Sequence, residues 1–135
     1  MNFLFVDTAG WIAAADSSDP SNRAARDARD SWLSSKGLLL TTDYVINETL
    51  TTLRFRIGLD AAEAWWEQIR GSNRLRIEWI DDNRAEKARS YFFRFRDKDF
   101  SFTDCTSFAV MKELRIRKAL TLDQHFRQMG FEMLP

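Results

Sequence analysis

One cysteine and one histidine are all that 135 residues supply of the softer metal ligands. Cys105 has no second cysteine to pair with, which fits a reducing cytoplasm. A single histidine and a single cysteine cannot build a usual zinc site. Neither sign of charge is in excess. Twenty basic residues face twenty acidic ones, so no global positive field draws the chain to nucleic acid. No apolar run reaches the ~18 residues needed to span a bilayer, so no membrane is expected as a partner. The apolar opening lacks a basic n-region and contains Asp7, so it reads as a buried strand and its turn, not a signal peptide. Internal repeats and low-complexity segments are also missing.

What is present favours a packed globule. Hydrophobic residues make up 44% of the chain, with 11 Phe, 5 Trp and 2 Tyr, enough for one core in a single domain over 1–135. The basic residues are mostly arginine, which suits bidentate contact with phosphate or carboxylate.

Short apolar runs alternate with helical segments. Phe3-Leu4-Phe5-Val6 reads as a strand covered on both faces. A short helix follows over Thr8–Ala15. Ser21 or Asn22 starts a helix that runs to about Lys36, with Gly37 as its stop. Leu38-Leu39-Leu40 reads as a second strand, and Thr41, Thr42 and Asp43 as N-cap candidates for a helix from Tyr44 to about Ile57. Asp60 is read as the cap of a helix from Ala61 to about Arg70. Leu75–Ile80 is a strand, Asp81 or Asp82 begins a helix to about Arg96, and Thr103 caps one through Glu113. Ala119–Leu122 and Phe131–Leu134 are the last strands. This alternation predicts an α/β domain with a mainly parallel sheet and helices on both faces.

Four acidic residues stand where apolar runs end or helices begin: Asp7, Glu48, Asp104 and Asp123. In such folds the site lies at the carboxyl ends of the strands, where strand order reverses. All four can face that end. Carboxylates beside apolar strands are expensive unless something pairs with them, and a divalent cation is one such partner. Hard oxygen donors suit Mg²⁺ or Mn²⁺, which can activate water and neutralise a phosphoryl group. The reaction this points to is phosphodiester hydrolysis. Without a cation the acids should raise one another's pKa. A helix N-terminus should help keep Asp104 ionised.

At these residues the chain resembles the PIN-domain nucleases, and within them the VapC-type toxins of toxin–antitoxin pairs. The resemblance rests on Phe5-Val6-Asp7-Thr8-Ala9-Gly10-Trp11, on Asn47-Glu48-Thr49 with Leu53, on the stretch from Asp99 to Met111, and on Thr121-Leu122-Asp123-Gln124-His125-Phe126. It implies a three-layer α/β/α fold with a five-stranded parallel sheet in the order 3-2-1-4-5. It implies a Mg²⁺- or Mn²⁺-dependent endoribonuclease acting on tRNA, rRNA or mRNA in the cytoplasm. Asp7, Glu48, Asp104 and Asp123 would be the catalytic, metal-holding acids, with Thr8 and Thr103 as supporting donors and Asp99 as a lesser candidate. It further implies a cognate antitoxin and a homodimer. Trp65, Trp66, Ile69, Phe92 and Phe93 are candidates for apolar partner surface, although Trp65 and Ile69 read better as core. Arg54, Arg56, Arg94 and Arg96 are candidates for RNA backbone contacts. The alternative is a non-catalytic RNA- or protein-binding module on the same fold. A phosphotransfer protein with Asp7 as nucleophile is disfavoured, because Ala9 breaks an Asp-x-Asp spacing.

Overall fold

The computed structural model describes residues 2–135. Five strands form one parallel sheet: β1 (Phe3–Val6), β2 (Leu38–Thr42), β3 (Leu75–Glu78), β4 (Lys118–Leu120) and β5 (Glu132–Leu134). Their spatial order is β3-β2-β1-β4-β5, as the resemblance implied. The central strand β1 pairs with β2 through Leu4↔Leu39 and with β4 through Phe5↔Ala119 and Val6↔Leu120. Leu4, Phe5 and Val6 are fully buried, as an all-apolar strand covered on both faces must be.

Seven helices complete the described chain: α1 (Thr8–Ala15), α2 (Asn22–Ser34), α3 (Asp43–Arg56), α4 (Leu59–Arg70), α5 (Asp82–Arg94), α6 (Phe102–Glu113) and α7 (His125–Gln128). Helix α1 packs against α2 and α3, and α3 against α4; α5 packs against α6, and α6 against α7. With this strand order, the right-handed crossover rule for parallel strands assigns the first group to one face of the sheet and the second to the other. Among the described residues no helix is long and apolar enough to cross a membrane.

Several local expectations give way to tertiary contacts. Thr41 and Thr42 belong to β2, which runs two residues further than its apolar triplet. The buried Thr41 hydroxyl donates to the Val6 carbonyl at 2.8 Å and accepts from Trp11 Nε1, so a polar side chain sits in the sheet without an unmet partner. Thr42 is also the N-cap of α3, accepting from the Val45 N–H. Helix α4 starts at Leu59 after Gly58, whose φ of +113° suits glycine; Asp60 lies in the first turn and caps nothing. Helix α6 is capped by Ser101 rather than Thr103. Helix α5 stops at Arg94, two residues short of Arg96. The short α7 had no counterpart in the sequence reading.

Arg84 braces the face that carries α5 and α6. Its guanidinium reaches the nearly buried Glu78 of β3 at 2.7 Å and Glu113 of α6 at 2.8 Å. Both carboxylates are held below their usual range: burial pushes Glu78 up but hydrogen bonds from Arg84 and Arg76 outweigh it, and the Arg84 hydrogen bond outweighs burial at Glu113. The aromatic core lies beneath. Phe108 of α6 meets Phe126 of α7 edge-on at 5.1 Å, and Phe126 lies 6.2 Å from Phe5 of β1. Trp65 and Ile69 are core, as preferred; Trp66 is half-buried and Phe93 is exposed.

Gly10 sets how closely α1 approaches β4. A methyl group there would stand 2.1 Å from the Leu120 carbonyl oxygen, deep inside van der Waals contact with backbone that cannot rotate away. Gly10→Ala should therefore push α1 off β4 and destabilise the protein by about 2–3 kcal/mol. A fall in the urea unfolding midpoint would register it; an unchanged midpoint would contradict this packing.

Candidate active site

The order reverses between β1 and β4, so the crevice above their carboxyl ends is the expected binding place in an open α/β sheet. Asp7 follows β1 directly and is the N-cap of α1, with its Oδ1 accepting from the Ala9 N–H at 2.8 Å. Its other oxygen, Oδ2, accepts a 2.6 Å hydrogen bond from the Thr121 hydroxyl, across 114 residues of sequence. Thr121 follows β4 and is 1% exposed. Its oxygen also accepts from the Asp123 N–H at 2.9 Å. Asp123 Oδ1 in turn accepts from the His125 N–H at 2.9 Å.

The His125 ring closes the chain of contacts. Nδ1 lies 2.9 Å from Asp104 Oδ2 and 3.2 Å from Asp123 Oδ1. Asp104 stands in the first turn of α6. Its Oδ2 also accepts from the Ser101 N–H, while the Ser101 hydroxyl accepts from the Asp104 N–H, a reciprocal cap. Three of the four predicted acids, Asp7, Asp104 and Asp123, thus belong to one hydrogen-bonded network. One ligand atom from each of Asp104, Asp123 and His125 can be chosen so that all lie within 4.8 Å of one another.

Glu48 stands apart from that network. It is exposed on α3 and makes no side-chain hydrogen bond with a described residue. It lines a groove of about 420 Å³ with Tyr44, Asn47, Thr51, Thr52 and Thr103. Thr103 precedes Asp104, so Glu48 faces the start of α6 across this groove. Thr8 and Thr103 do not bond the acids. The Thr8 hydroxyl is buried with no partner among the described residues, and the donor that reaches Asp7 is Thr121. Asp99 is exposed. Arg56 is committed elsewhere, at 3.1 Å from Asp16 and 3.0 Å from Asp19, and Arg94 lies over the Phe95 ring.

Burial governs the electrostatics here. It pushes the Asp7 carboxyl up from 3.8 to about 7, against the pull of the Thr121 and Ala9 donors; the charges of Asp104 and Asp123 add smaller upward pushes. Asp104 is also raised, by burial first and then by Asp123, despite the Ser101 and His125 hydrogen bonds. Mutual repulsion of the acids is therefore real but secondary to desolvation. The expected benefit of a helix N-terminus for an ionised Asp104 is outweighed. An acid raised on folding keeps protons that the unfolded chain has released. Its contribution to stability therefore falls as pH rises from about 4 to about 7, and stays low above that.

Thr121, His125 and Ser101 are the site residues that the sequence reading passed over. Thr121 and His125 sit inside the motif around Asp123, two residues to either side. That spacing lets both reach its backbone or carboxylate once the segment turns.

Residues 4–132 match the family described as PIN domain. The chain is 34% identical over 128 residues to the 23S rRNA-specific endonuclease VapC20 of Mycobacterium tuberculosis, a match covering 95% of each chain. The crystal structure of that VapC20, described as a sarcin-ricin loop cleaving toxin, superposes with a TM-score of 0.87 at 34% identity over 98% of this chain and 99% of that one. VapBC2 from Rickettsia felis, solved bound to a promoter DNA fragment, shares the fold at a TM-score of 0.71 and 9% identity, over 97% of this chain and 96% of that one. With its strand order, its switch-point acids and these matches, the chain belongs to the PIN-domain family, beside the VapC ribonucleases.

Proposed function

We propose that the protein is a divalent-metal-dependent endoribonuclease that hydrolyses RNA phosphodiester bonds and serves as the toxin of a toxin–antitoxin pair in the cytoplasm. The observation that carries this reading is the joining of Asp7, Asp104 and Asp123 at the β1/β4 switch point. The donor set fits a hard cation. It is all carboxylate oxygen, and burial holds its most buried member at about 7, where a bound cation would favour the ionised form. Asp7, Asp104 and Asp123 would hold Mg²⁺ or Mn²⁺, with Glu48 approaching from α3. When bound, such an ion neutralises phosphate charge and acidifies water.

The chain's own residues supply the rest. Asp104 Oδ1 and Asp123 Oδ2 accept no hydrogen bond from a described residue, so they are open to ligands and to a water that they can orient. The groove beside Glu48 reaches Thr103, the neighbour of Asp104, and offers Tyr44 and Asn47 to the RNA. Exposed Arg54 and Arg96 are candidates for phosphate contacts that would make binding salt-dependent. The exposed side chains of Phe55, Trp79 and Phe93 provide apolar surface for an antitoxin and for a second copy of the chain. Similarity to a 23S rRNA endonuclease makes a structured rRNA loop the first substrate to try.

Purified protein should cut a sarcin–ricin loop RNA with Mg²⁺ or Mn²⁺, and EDTA should stop it. Asp7→Asn and Asp104→Asn should each lower the cleavage rate by about 100-fold or more. Equal cutting by these variants would refute the site; tight RNA binding without cutting by the native protein would favour a non-catalytic module. The same Asp7→Asn variant should be the more stable protein in EDTA at pH 8. Its Tm should exceed that of the native chain by about 5 °C or more, because the buried charge is gone. The difference should shrink towards pH 5, where the native Asp7 is protonated in the fold. Thermal scans at the two pH values check this and separate lost activity from lost folding.

A further inference from the structure

The His125 ring contacts two of the three clustered acids, and it does so on one oxygen of each. Asp104 presents Oδ2 to Nδ1 at 2.9 Å, and Asp123 presents Oδ1 at 3.2 Å. The same two oxygens take the backbone donors, Ser101 N–H and His125 N–H. Every protein donor from the described residues therefore falls on Asp104 Oδ2 and Asp123 Oδ1, and the partner oxygen of each carboxylate stays open.

The ring is itself held in place. Phe100 meets it edge-on at 5.3 Å with an interplanar angle of 79°. The next residue, Phe126, is fully buried between Phe5 and Phe108. The turn from Asp123 is closed by the His125 N–H bond to the same Oδ1 that the ring approaches. A nitrogen facing two carboxylates carries the hydrogen, because ionised carboxylates only accept. A nitrogen that donates has no lone pair for a metal, so Nδ1 is a clamp on the ligands and not a ligand.

From this geometry we infer that His125 is a positioning residue: it locks the Asp104 and Asp123 carboxylates in one rotation, with Asp104 Oδ1 and Asp123 Oδ2 turned out to receive a divalent cation. This rests on the nuclease reading above, which supplies the cation. Hydrogen-bond donors to ligating carboxylates fix ligand orientation, and their loss characteristically weakens metal binding. Without the ring Asp104 loses its side-chain donor and keeps only the Ser101 N–H, and Asp123 keeps its His125 N–H but loses the ring packed 3.2 Å from the same oxygen, so both gain freedom about Cβ–Cγ.

Two variants separate the donor from the ring. His125→Phe keeps an aromatic ring against Phe100 and removes the donor. His125→Asn removes the ring and returns an amide N–H close to the place of Nδ1. Mn²⁺ affinity, read at fixed pH by electron paramagnetic resonance of free Mn²⁺, should fall about 10-fold or more in His125→Phe and recover most of its value in His125→Asn. RNA cleavage by His125→Phe should approach the native rate at saturating Mn²⁺, because the defect lies in metal affinity. A purely structural ring would give the opposite order, with Phe tolerated and Asn impaired, and would overturn the inference. Native-like Mn²⁺ binding by both variants would also overturn it while leaving the nuclease reading intact. Absence of Mn²⁺ binding by the native protein would overturn both.

Discussion

The 2.6 Å hydrogen bond between Thr121 and Asp7 joins the two strands on which the candidate site depends. Asp7 is forced to lie deep because β1 is the centre of the sheet and is covered on both faces. A carboxylate there loses most of its hydration, and two donors only partly restore it. The parallel register of β1 with β4 brings Thr121 to Asp7, and the glycine at position 10 lets α1 lie close enough for that register to hold. From Thr121 the contacts pass to Asp123, then to His125, and from His125 to Asp104 on α6. The residue that follows the first strand and one from the sixth helix are thus tied through the segment 121–125 that follows β4.

Much of this was readable from the chain. Apolar runs such as Phe3–Val6 define buried parallel strands by composition alone, and the stop signals between them separate strands from helices. Asp7 was conspicuous because nothing in an apolar run explains a carboxylate at its end. What escaped reading has a physical reason in each case. Thr103 looked like the cap of α6 because it precedes an acid. The helix starts earlier because Ser101 and Asp104 can satisfy each other's N–H groups, and that exchange is worth more than a single cap. Thr41 and Thr42 read as N-cap candidates beyond a three-residue strand, yet β2 continues through both, with the Thr41 hydroxyl on the Val6 carbonyl of the neighbouring strand. His125 entered the sequence reading only as a lone histidine, too little for a usual zinc site. Its value is as a donor, and a donor's role depends on which acceptors the fold brings to it.

The four acids also fall into two kinds. Asp7, Asp104 and Asp123 are restrained by the backbone and by one another, so their positions belong to the fold. Glu48 has no such restraint. It projects from α3 into a groove with Thr103 opposite, and its position is free to respond to whatever enters. A rigid trio and one adjustable acid would give the candidate site one wall fixed by the fold and another that can adapt.

The bond between residues 7 and 121 has a consequence for biosynthesis. Synthesis runs from the N-terminus, so Asp7 emerges well before Thr121, Asp123 and His125. No nascent fragment ending before Thr121 can assemble the network, however well its earlier strands pair, because closure requires a contact across 114 residues. The ribosome that makes this protein therefore carries it without the joined acidic network until synthesis has passed His125.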